Sequence, residues 1–407
     1  MIYLNAILAF LALLSLVLAL WQWLAARRFP LHQRVADANF SPAISILKPL
    51  KDCDDTTLES LESWLKQNYS GQTQILFGVA DPNDPVCNVV RKLLHKSFSH
   101  DTQLVVCAEN LGTNAKVSTL AQLEKLAKHD LILISDADVR VPPDFLANVV
   151  ALLRDEKTGL ASCFYRLTNP TTTAMRLEAI AINADFWSQV LQSASLKPLD
   201  FALGAVMLTR RKALVEIGGF RSLVNSLADD YQLGHRIVQN GHRLALCPVV
   251  VECWDPPMNW RDVWKHQLRW ARTIRACQPL PYFFSILSNA TLWPWLWLVS
   301  ELFALLVQTI PSAQGEPFQS FEVKIASIEG VMAAVVLLLT RITLAQNLQR
   351  RFTPEKHLTS PFWLVPLKDL LQTAIWLCAF GGNTVEWRGQ RMKLRRDGTL
   401  VAEKPNG

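Results

Sequence analysis

The sequence is poor in charged residues, which make up 19% of its 407 positions, whereas 50% of the positions are hydrophobic. A typical soluble domain carries about 25% charged residues, so this deficit indicates that part of the chain lies in a membrane. The net charge of +6 is modest, and the basic residues are spread along the chain. No basic patch suits nucleic acid, so nucleic acid is not an expected partner.

The eight cysteines include no C-x-x-C pair and no spacing typical of metal ligands. Scattered single cysteines in a chain of this length argue against a disulfide framework. They indicate reduced thiols in a cytosolic setting. The sequence also lacks an internal repeat and a low-complexity tract.

The N-terminus has no charged residue from Ile2 to Leu24, which is long enough to cross a bilayer core of about 30 Å. A cleaved signal peptide would begin with a charge and have a shorter apolar stretch. Here the charges, Arg27 and Arg28, come after the stretch. We therefore expect residues 1–26 to be an uncleaved anchor, and the positive-inside rule places the following chain in the cytoplasm.

Residues 27–280 are expected to form a cytosolic α/β domain. Short apolar runs such as "AISILKPL" and "QILFGVA" alternate with polar helical stretches such as "TLESLESWLKQNY". This alternation predicts a mostly parallel, Rossmann-like sheet whose strands are linked by helices. In such sheets, ligands gather at the carboxyl ends of the strands.

Residues 281–383 are expected to form transmembrane and interfacial helices. The apolar segments from Phe283 to Ile310 and from Val323 to Leu344 predict membrane spans. The segment from Pro361 to Gly382 is interrupted by Lys368 and Asp369, which favours a re-entrant or interfacial helix.

The basic residues near the C-terminus support the same topology. Arg350, Arg351 and Lys356 and the basic tail, residues 384–407, can all face the cytoplasm only if the third segment does not cross fully. We therefore expect three spans and one interfacial segment. The protein would be a multi-pass integral protein of a bacterial inner membrane or an equivalent membrane.

Two acids, Asp136 and Asp138, follow the apolar run "LILI" in "LILISDADVR". Side chains alternate along an extended chain, so the two carboxylates can point to the same side. Such carboxylates are hard ligands suited to Mg²⁺ or Mn²⁺, and the ion could bridge a diphosphate. The alternative is that one acid caps the following helix.

Two further acidic segments have equally simple structural explanations. Asp81 and Asp84 in "VADPNDPV" fit turn chemistry, but they also follow a strand, where a nucleotide base and ribose would bind. Asp229 and Asp230 open the helical stretch "DDYQLGHRI", where the helix dipole favours acids. The alternative is a general base that takes a proton from an attacking hydroxyl group.

The stretch "WKHQLRWARTIR" combines cations with an aromatic residue. At helical spacing, Arg269 and Arg272 share one face beside Trp270. Arginine can clamp a diphosphate, and tryptophan can wall off a sugar or an acceptor. The alternative is a basic amphipathic helix on the membrane surface, and both interpretations can hold.

Taken in order, these sites resemble the ordered motifs of inverting, nucleotide-sugar-dependent glycosyltransferases with the GT-A fold. The chain resembles the ceramide glucosyltransferases of family 21 and their bacterial relatives, including the hopanoid-associated glycosyltransferases. The resemblance covers nearly the whole chain after the anchor and rests on "SILKPLKDCD", "ADPNDPV", "NLGTNAKVSTL", "SDADVRVPPDFL", "ADDYQLGHRI", "HQLRWAR" and "WRGQRMKLRRDGTL". Two positions depart: His266 stands where the family has Gln or Arg, and Asp138 is an acid that animal members tend to lack.

The resemblance implies an inverting single displacement from a UDP-sugar, with glucose as the expected sugar, to a lipid hydroxyl group in the bilayer. It implies a role for each matched residue: Asp81 and Asp84 near the uridine, Lys116 at the diphosphate, Asp136 and Asp138 on Mg²⁺ or Mn²⁺, Asp230 as the base, and His266, Arg269 and Trp270 at the diphosphate and sugar pocket.

Alternatives stay open. The acceptor is ceramide, a hopanoid polyol or diacylglycerol, and N-acetylglucosamine is an alternative donor sugar. A processive polysaccharide synthase shares the core, but it would need more spans than the three short segments after Pro281 provide. A non-catalytic membrane-binding module is disfavoured because all the candidate acids are intact.

Overall fold

The computed structural model describes residues 2–96, 101–308, 321–355, 359–387, 390–395 and 398–402. Its strands are β1 Ile44–Leu50, β2 Thr73–Val79, β3 Asp101–Val106, β4 Leu131–Ser135, β5 Val139–Arg140, β6 Thr158–Leu167, β7 Val206–Arg210, β8 Arg243–Cys253, β9 Thr384–Trp387, β10 Gln390–Leu394 and β11 Leu400–Ala402. Its α-helices are α1 Ile2–Arg28, α2 Thr57–Leu65, α3 Val86–Leu94, α4 Ala115–Glu124, α5 Phe145–Ala151, α6 Thr173–Ile180, α7 Trp187–Ala194, α8 Arg211–Glu216, α9 Asp229–Gln239, α10 Trp260–Cys277, α11 Pro279–Phe284, α12 Leu292–Gln308, α13 Phe321–Phe352 and α14 Leu364–Phe380.

The chain divides into two compact units. The sheet unit consists of Phe29–Pro170, Ser193–Met258 and Asn383–Gly407, and the helical unit of Met1–Arg28, Thr171–Gln192 and Asn259–Gly382. This division differs from the sequential boundaries expected above. Residues 171–192 and 259–280 cluster with the apolar helices, and the tail clusters with the sheet unit.

The sheet unit is built on an eight-stranded mixed sheet with the strand order β3-β2-β1-β4-β7-β6-β8-β5. Strands β3, β2, β1 and β4 are parallel to one another, and β7 runs antiparallel to β4 and β6. Every residue of β1, β2 and β4 is buried, as expected for strands covered on both faces. The predicted α/β class is confirmed.

Successive residues of the central strands pack alternately into two separate hydrophobic cores. Ile46 and Phe77 belong to one apolar cluster, whereas their chain neighbours Leu47 and Leu76 belong to the other. The period of two along a strand places them on opposite faces. Because β1 and β4 are parallel, their carboxyl ends meet at one edge, and this edge carries Asp136 and Asp138.

The C-terminal residues of the sheet unit form a small antiparallel sheet of β9, β10 and β11. Its last strand is tied to the segment that precedes α9, because the amide of Leu400 donates to the carbonyl of Asn225 at 2.7 Å. The amide of Leu227 in turn donates to the carbonyl of Gly398 at 3.2 Å. The tail therefore supports the segment that leads to Asp229.

The helical unit contains the candidate membrane spans. Among the described residues, two helices, Tyr3–Arg28 and Lys324–Phe352, are long and apolar enough to cross a membrane. The pair Pro279–Ser288 and Leu292–Val307, bent by 45°, would make a third span if it counts as one. Ile310, at the end of one predicted span, and Lys356, used in the topology argument, lie outside the described residues.

The charged pair that interrupts the third apolar segment is buried within the helical unit, in α14. Arg341 Nη2 lies 2.9 Å from Asp185 Oδ2, and Arg341 Nε lies 2.8 Å from Asp369 Oδ2. Lys368 contacts both of these carboxylates. This buried charge cluster (Asp185, Arg341, Lys368 and Asp369) pairs two cations with two anions, which apolar surroundings require.

Candidate active site

Asp136 and Asp138 extend from the end of β4, and a buried lysine of the neighbouring strand supports their turn. Lys48 Nζ donates to the carbonyl oxygen of Asp136 at 2.5 Å and to Ser135 Oγ at 3.2 Å. Burial lowers the pKa of Lys48 to about 7. Lys48 belongs to none of the motifs described above. The available signal was one cation within the apolar run "AISILKPL".

Lys116 connects the acids of two separate segments. It lies in the first turn of α4, whose N-terminus is capped by the side chain of Asn114. Its Nζ lies 2.6 Å from Asp136 Oδ1 and 3.4 Å from Asp229 Oδ2. Burial lowers the pKa of Lys116, but the charges of the two carboxylates outweigh it and raise this pKa above its ordinary value. Lys116 is therefore a fixed cation between the two acidic segments.

Asp230 follows Asp229 at the N-terminus of α9, and its Oδ1 accepts a hydrogen bond from the amide of Tyr231 at 2.7 Å. A Cβ atom at Gly204 would lie 2.8 Å from Asp230 Oδ2, so any other residue there would force the carboxylate of Asp230 to shift. Removal from water and the charge of Asp229 raise the pKa of Asp230 to about 6. A carboxyl group with this pKa is ionised at neutral pH and can accept a proton.

The donor chemistry at Asp136 and Asp138 fits a divalent cation. Burial and the charges of Asp136 and Asp255 raise the pKa of Asp138 to about 7, and a bound dication would offset that repulsion. Oδ1 of Asp136 forms an ion pair with Lys116. Within the described ranges, no group of three or more His, Cys, Asp and Glu side chains could hold a metal ion. The two carboxylates are hard oxygen ligands of the kind that Mg²⁺ and Mn²⁺ prefer.

Asp81 and Asp84 follow β2 and so lie at the same edge of the sheet as Asp136. The carboxylate of Asp84 accepts hydrogen bonds from the amides of Asp52 at 3.1 Å and of Val86 at 3.0 Å. Asp81 accepts one from the amide of Asn83 at 2.8 Å. These hydrogen bonds shape the loops after β1 and β2, as turn chemistry predicts.

The Arg-Trp motif, which consists of His266, Arg269 and Trp270, lies on α10 in the helical unit. An Asn259–Asp262 capping box starts this helix. The ring centroids of His266 and Trp270 are 4.6 Å apart, and those of Phe186 and Trp270 are 6.4 Å apart. The structure thus brings Asp136, Asp229 and Asp230 together around Lys116 in one unit and places the Arg-Trp motif in the other.

Comparisons with known proteins identify the family of the chain and its fold. The profile of Glycosyl transferase family 21 matches residues 7–400. The chain is 23% identical over 224 residues to ceramide glucosyltransferase 3 of Caenorhabditis elegans, covering 55% of this chain and 48% of that protein. It is 26% identical over 291 residues to an N-acetylglucosaminyltransferase of Bradyrhizobium diazoefficiens, covering 65% and 57%. The chain spans about half the length of these curated relatives.

Among solved structures, the mannosyltransferase PcManGT of Pyrobaculum calidifontis, determined in complex with GDP-Man and Mn²⁺, is similar in fold. The TM-score is 0.52 at 19% identity, and the likeness covers 92% of this chain and 99% of the other. The predicted GT-A fold is confirmed.

Proposed function

The chain belongs to glycosyltransferase family 21, and from this premise we propose that it transfers one sugar from a UDP-sugar to a hydroxyl group of a membrane lipid. The observation that carries the proposal is the grouping of Asp136, Asp229 and Asp230 around Lys116 at one edge of the sheet. This edge is where α/β folds bind nucleotides. The relatives that are ceramide glucosyltransferases support a lipid acceptor.

Asp230 is the proposed general base. A lipid hydroxyl group is a weak acid, so a positioned base accelerates its attack on the anomeric carbon by about 10²–10⁴-fold. The raised pKa of Asp230, about 6, lies close enough to neutral pH for efficient proton transfer. Direct displacement at the anomeric carbon inverts its configuration.

The negative charge of the diphosphate is stabilised by cations at the same edge. Lys116, held between Asp136 and Asp229, presents one positive charge. Asp136 and Asp138 would hold Mg²⁺ or Mn²⁺, and this ion, when bound, neutralises charge that develops on the leaving UDP. A mannosyltransferase of the same fold, solved with Mn²⁺ and a nucleotide sugar, supports this assignment.

The remaining roles follow from the family resemblance. Asp81 and Asp84 would contact the uridine, and His266, Arg269 and Trp270 the diphosphate and sugar. Glucose is the proposed sugar and ceramide the proposed acceptor, with the active edge on the cytoplasmic side. Two rhizobial N-acetylglucosaminyltransferases among the relatives make N-acetylglucosamine the second candidate sugar. A hopanoid polyol and diacylglycerol are the second candidate acceptors.

The test is a transfer assay on the full chain in lipid nanodiscs. UDP-glucose and UDP-N-acetylglucosamine are each combined with ceramide, diacylglycerol or a hopanoid polyol, and the glycolipid is identified by mass spectrometry. We expect one hexose per lipid with one pair and no product from Asp230→Asn. A long polymer would instead identify a processive synthase. The proposal is wrong if no pair yields product although the protein binds the UDP-sugar.

A further inference from the structure

Glu178 of α6 is a buried acid that the proposed mechanism does not use. Its side chain is 0% exposed, among the buried residues Met175, Leu177 and Ile180. Its Oε1 accepts a hydrogen bond from Gln267 Nε2 of α10 at 2.8 Å and lies 2.8 Å from Nδ1 of His266 on the same helix. All of these residues belong to the helical unit.

The contact with Glu178 bears on which nitrogen of His266 carries the proton. An ionised carboxylate can only accept hydrogen bonds, so Nδ1 must be the donor. In a neutral imidazole, Nε2 then has a free lone pair and is a hydrogen-bond acceptor. The side chain of His266 is 24% exposed, and its ring lies beside that of Trp270.

The second oxygen of Glu178 makes this position energetically costly. Oε2 is buried and has no hydrogen-bond partner within the described part of the chain. Burying a carboxylate oxygen without a donor carries a desolvation penalty that an apolar residue would avoid. An acid buried at such a cost, in contact with His266 of the Arg-Trp motif, points to a function that an apolar residue could not serve.

We propose that Glu178 is a positioning residue that holds His266 in the Nδ1–H tautomer, so that Nε2 accepts a hydrogen bond from a hydroxyl group of a substrate. This inference rests on the proposed function and adds a residue to it. A glutamine at this position would present its side-chain carbonyl oxygen as an acceptor without help, whereas histidine needs a partner that selects its tautomer.

The activity test uses Glu178→Gln, His266→Gln and the double variant in the nanodisc assay. Glu178→Gln keeps the shape, but its amide can donate to Nδ1 and favour the wrong tautomer. We expect kcat/KM to fall by about 10–100-fold in Glu178→Gln. In the His266→Gln background the same change should cost less than about 3-fold, because residues that act as a unit are not additive.

The hydroxyl group can belong to the sugar or to the lipid, and the kinetics distinguish the two. A rise in KM for the UDP-sugar assigns it to the donor, and a rise in KM for the lipid assigns it to the acceptor. The matched control is Glu216→Gln, because Glu216 and His242 form another carboxylate–histidine pair, at 2.6 Å, in the sheet unit. Glu216→Gln should leave the KM for the UDP-sugar and the KM for the lipid unchanged.

A second readout does not depend on activity. Nitrogen-15 NMR of histidine-labelled protein, with the His266→Gln spectrum subtracted, reports the tautomer of His266. Protonated Nδ1 in the wild type and its loss in Glu178→Gln support the inference. A protonated Nε2 in an active wild type, or equal costs of Glu178→Gln in both backgrounds, would overturn it. Wild-type protein with the expected tautomer but no transfer would refute the proposed function while upholding the pairing.

Discussion

The ammonium group of Lys116 lies 2.6 Å from Oδ1 of Asp136 and thereby joins the start of α4 to the end of β4. Without this cation, Asp136, Asp229 and Asp230 would face one another with no positive charge between them. We therefore expect Lys116→Met to lower kcat/KM by about 10²–10³-fold, the range for losing a group that stabilises transition-state charge.

Lys128 provides the control for this prediction. It forms a contact of the same length, 2.6 Å, with Asp101, but its side chain is 59% exposed. Exposed ion pairs contribute about 0–1 kcal/mol. Lys128→Met should therefore keep wild-type activity, and equal losses in the two variants would contradict the role given to Lys116.

The pKa of Asp230, about 6, predicts an acidic limit to activity. The base must be ionised to accept a proton, so protonation below that pKa removes the active form. We expect kcat/KM to be level above about pH 7 and to fall by about tenfold per pH unit below about pH 5. The measurement is a pH–rate profile, and Asp230→Asn should lack activity throughout the range. An unchanged rate at pH 4.5 would exclude Asp230 as the base.

Metal removal tests the roles of Asp136 and Asp138. We expect a chelator to abolish transfer and added Mn²⁺ or Mg²⁺ to restore it, because two carboxylates at this edge are hard ligands for such ions. Binding can be followed without turnover as an increase in the thermal midpoint on adding Mn²⁺. Asp138→Asn should lose that increase, whereas Asp101→Asn, an exposed control, should retain it. Full activity in the chelator would refute the metal site.

The buried charge cluster predicts a stability effect in the helical unit. Arg341→Met removes a cation that contacts both Asp185 and Asp369. Breaking a buried pair by removing one partner costs about 3–5 kcal/mol, so the unfolding midpoint in detergent should drop clearly. Arg350→Met, an exposed change on the same helix, should leave the midpoint unchanged. Equal midpoints in the two variants would show that the cluster does not stabilise the fold.

The orientation inferred from Arg27 and Arg28 can be tested with an exposed thiol. Cys53 lies in the sheet unit and is exposed, as is Cys378 in the helical unit, while Cys277 is partly exposed. In a Cys277→Ser, Cys378→Ser background, an impermeant maleimide should label Cys53 only in inverted or permeabilised vesicles. Labelling in intact right-side-out vesicles would place the sheet unit on the outer side.

The sequence determined the family and the fold class, and it identified the acids that the structure brings together. These features can be predicted from the sequence because each depends on a short stretch of neighbouring residues. A buried strand requires a continuous apolar run, and an acid directly after such a run must lie at the edge of the sheet. The segment "NLGTNAKVSTL" supplied Lys116 by resemblance, and the structure places its Nζ within 3.4 Å of both acidic segments.

The tertiary structure alone revealed the partners that buried charges require. Lys368 and Asp369 were visible as an interruption of an apolar segment, but their partner Asp185 lies more than 180 residues earlier, in a π-helical turn. In the sequence, nothing distinguishes Glu178 from an ordinary helical glutamate. Its contact with His266, 88 residues away, is found only in the folded chain. Sequence periodicity reports which face of a segment is buried, whereas the pairing of buried charges depends on which segments the folded chain brings into contact.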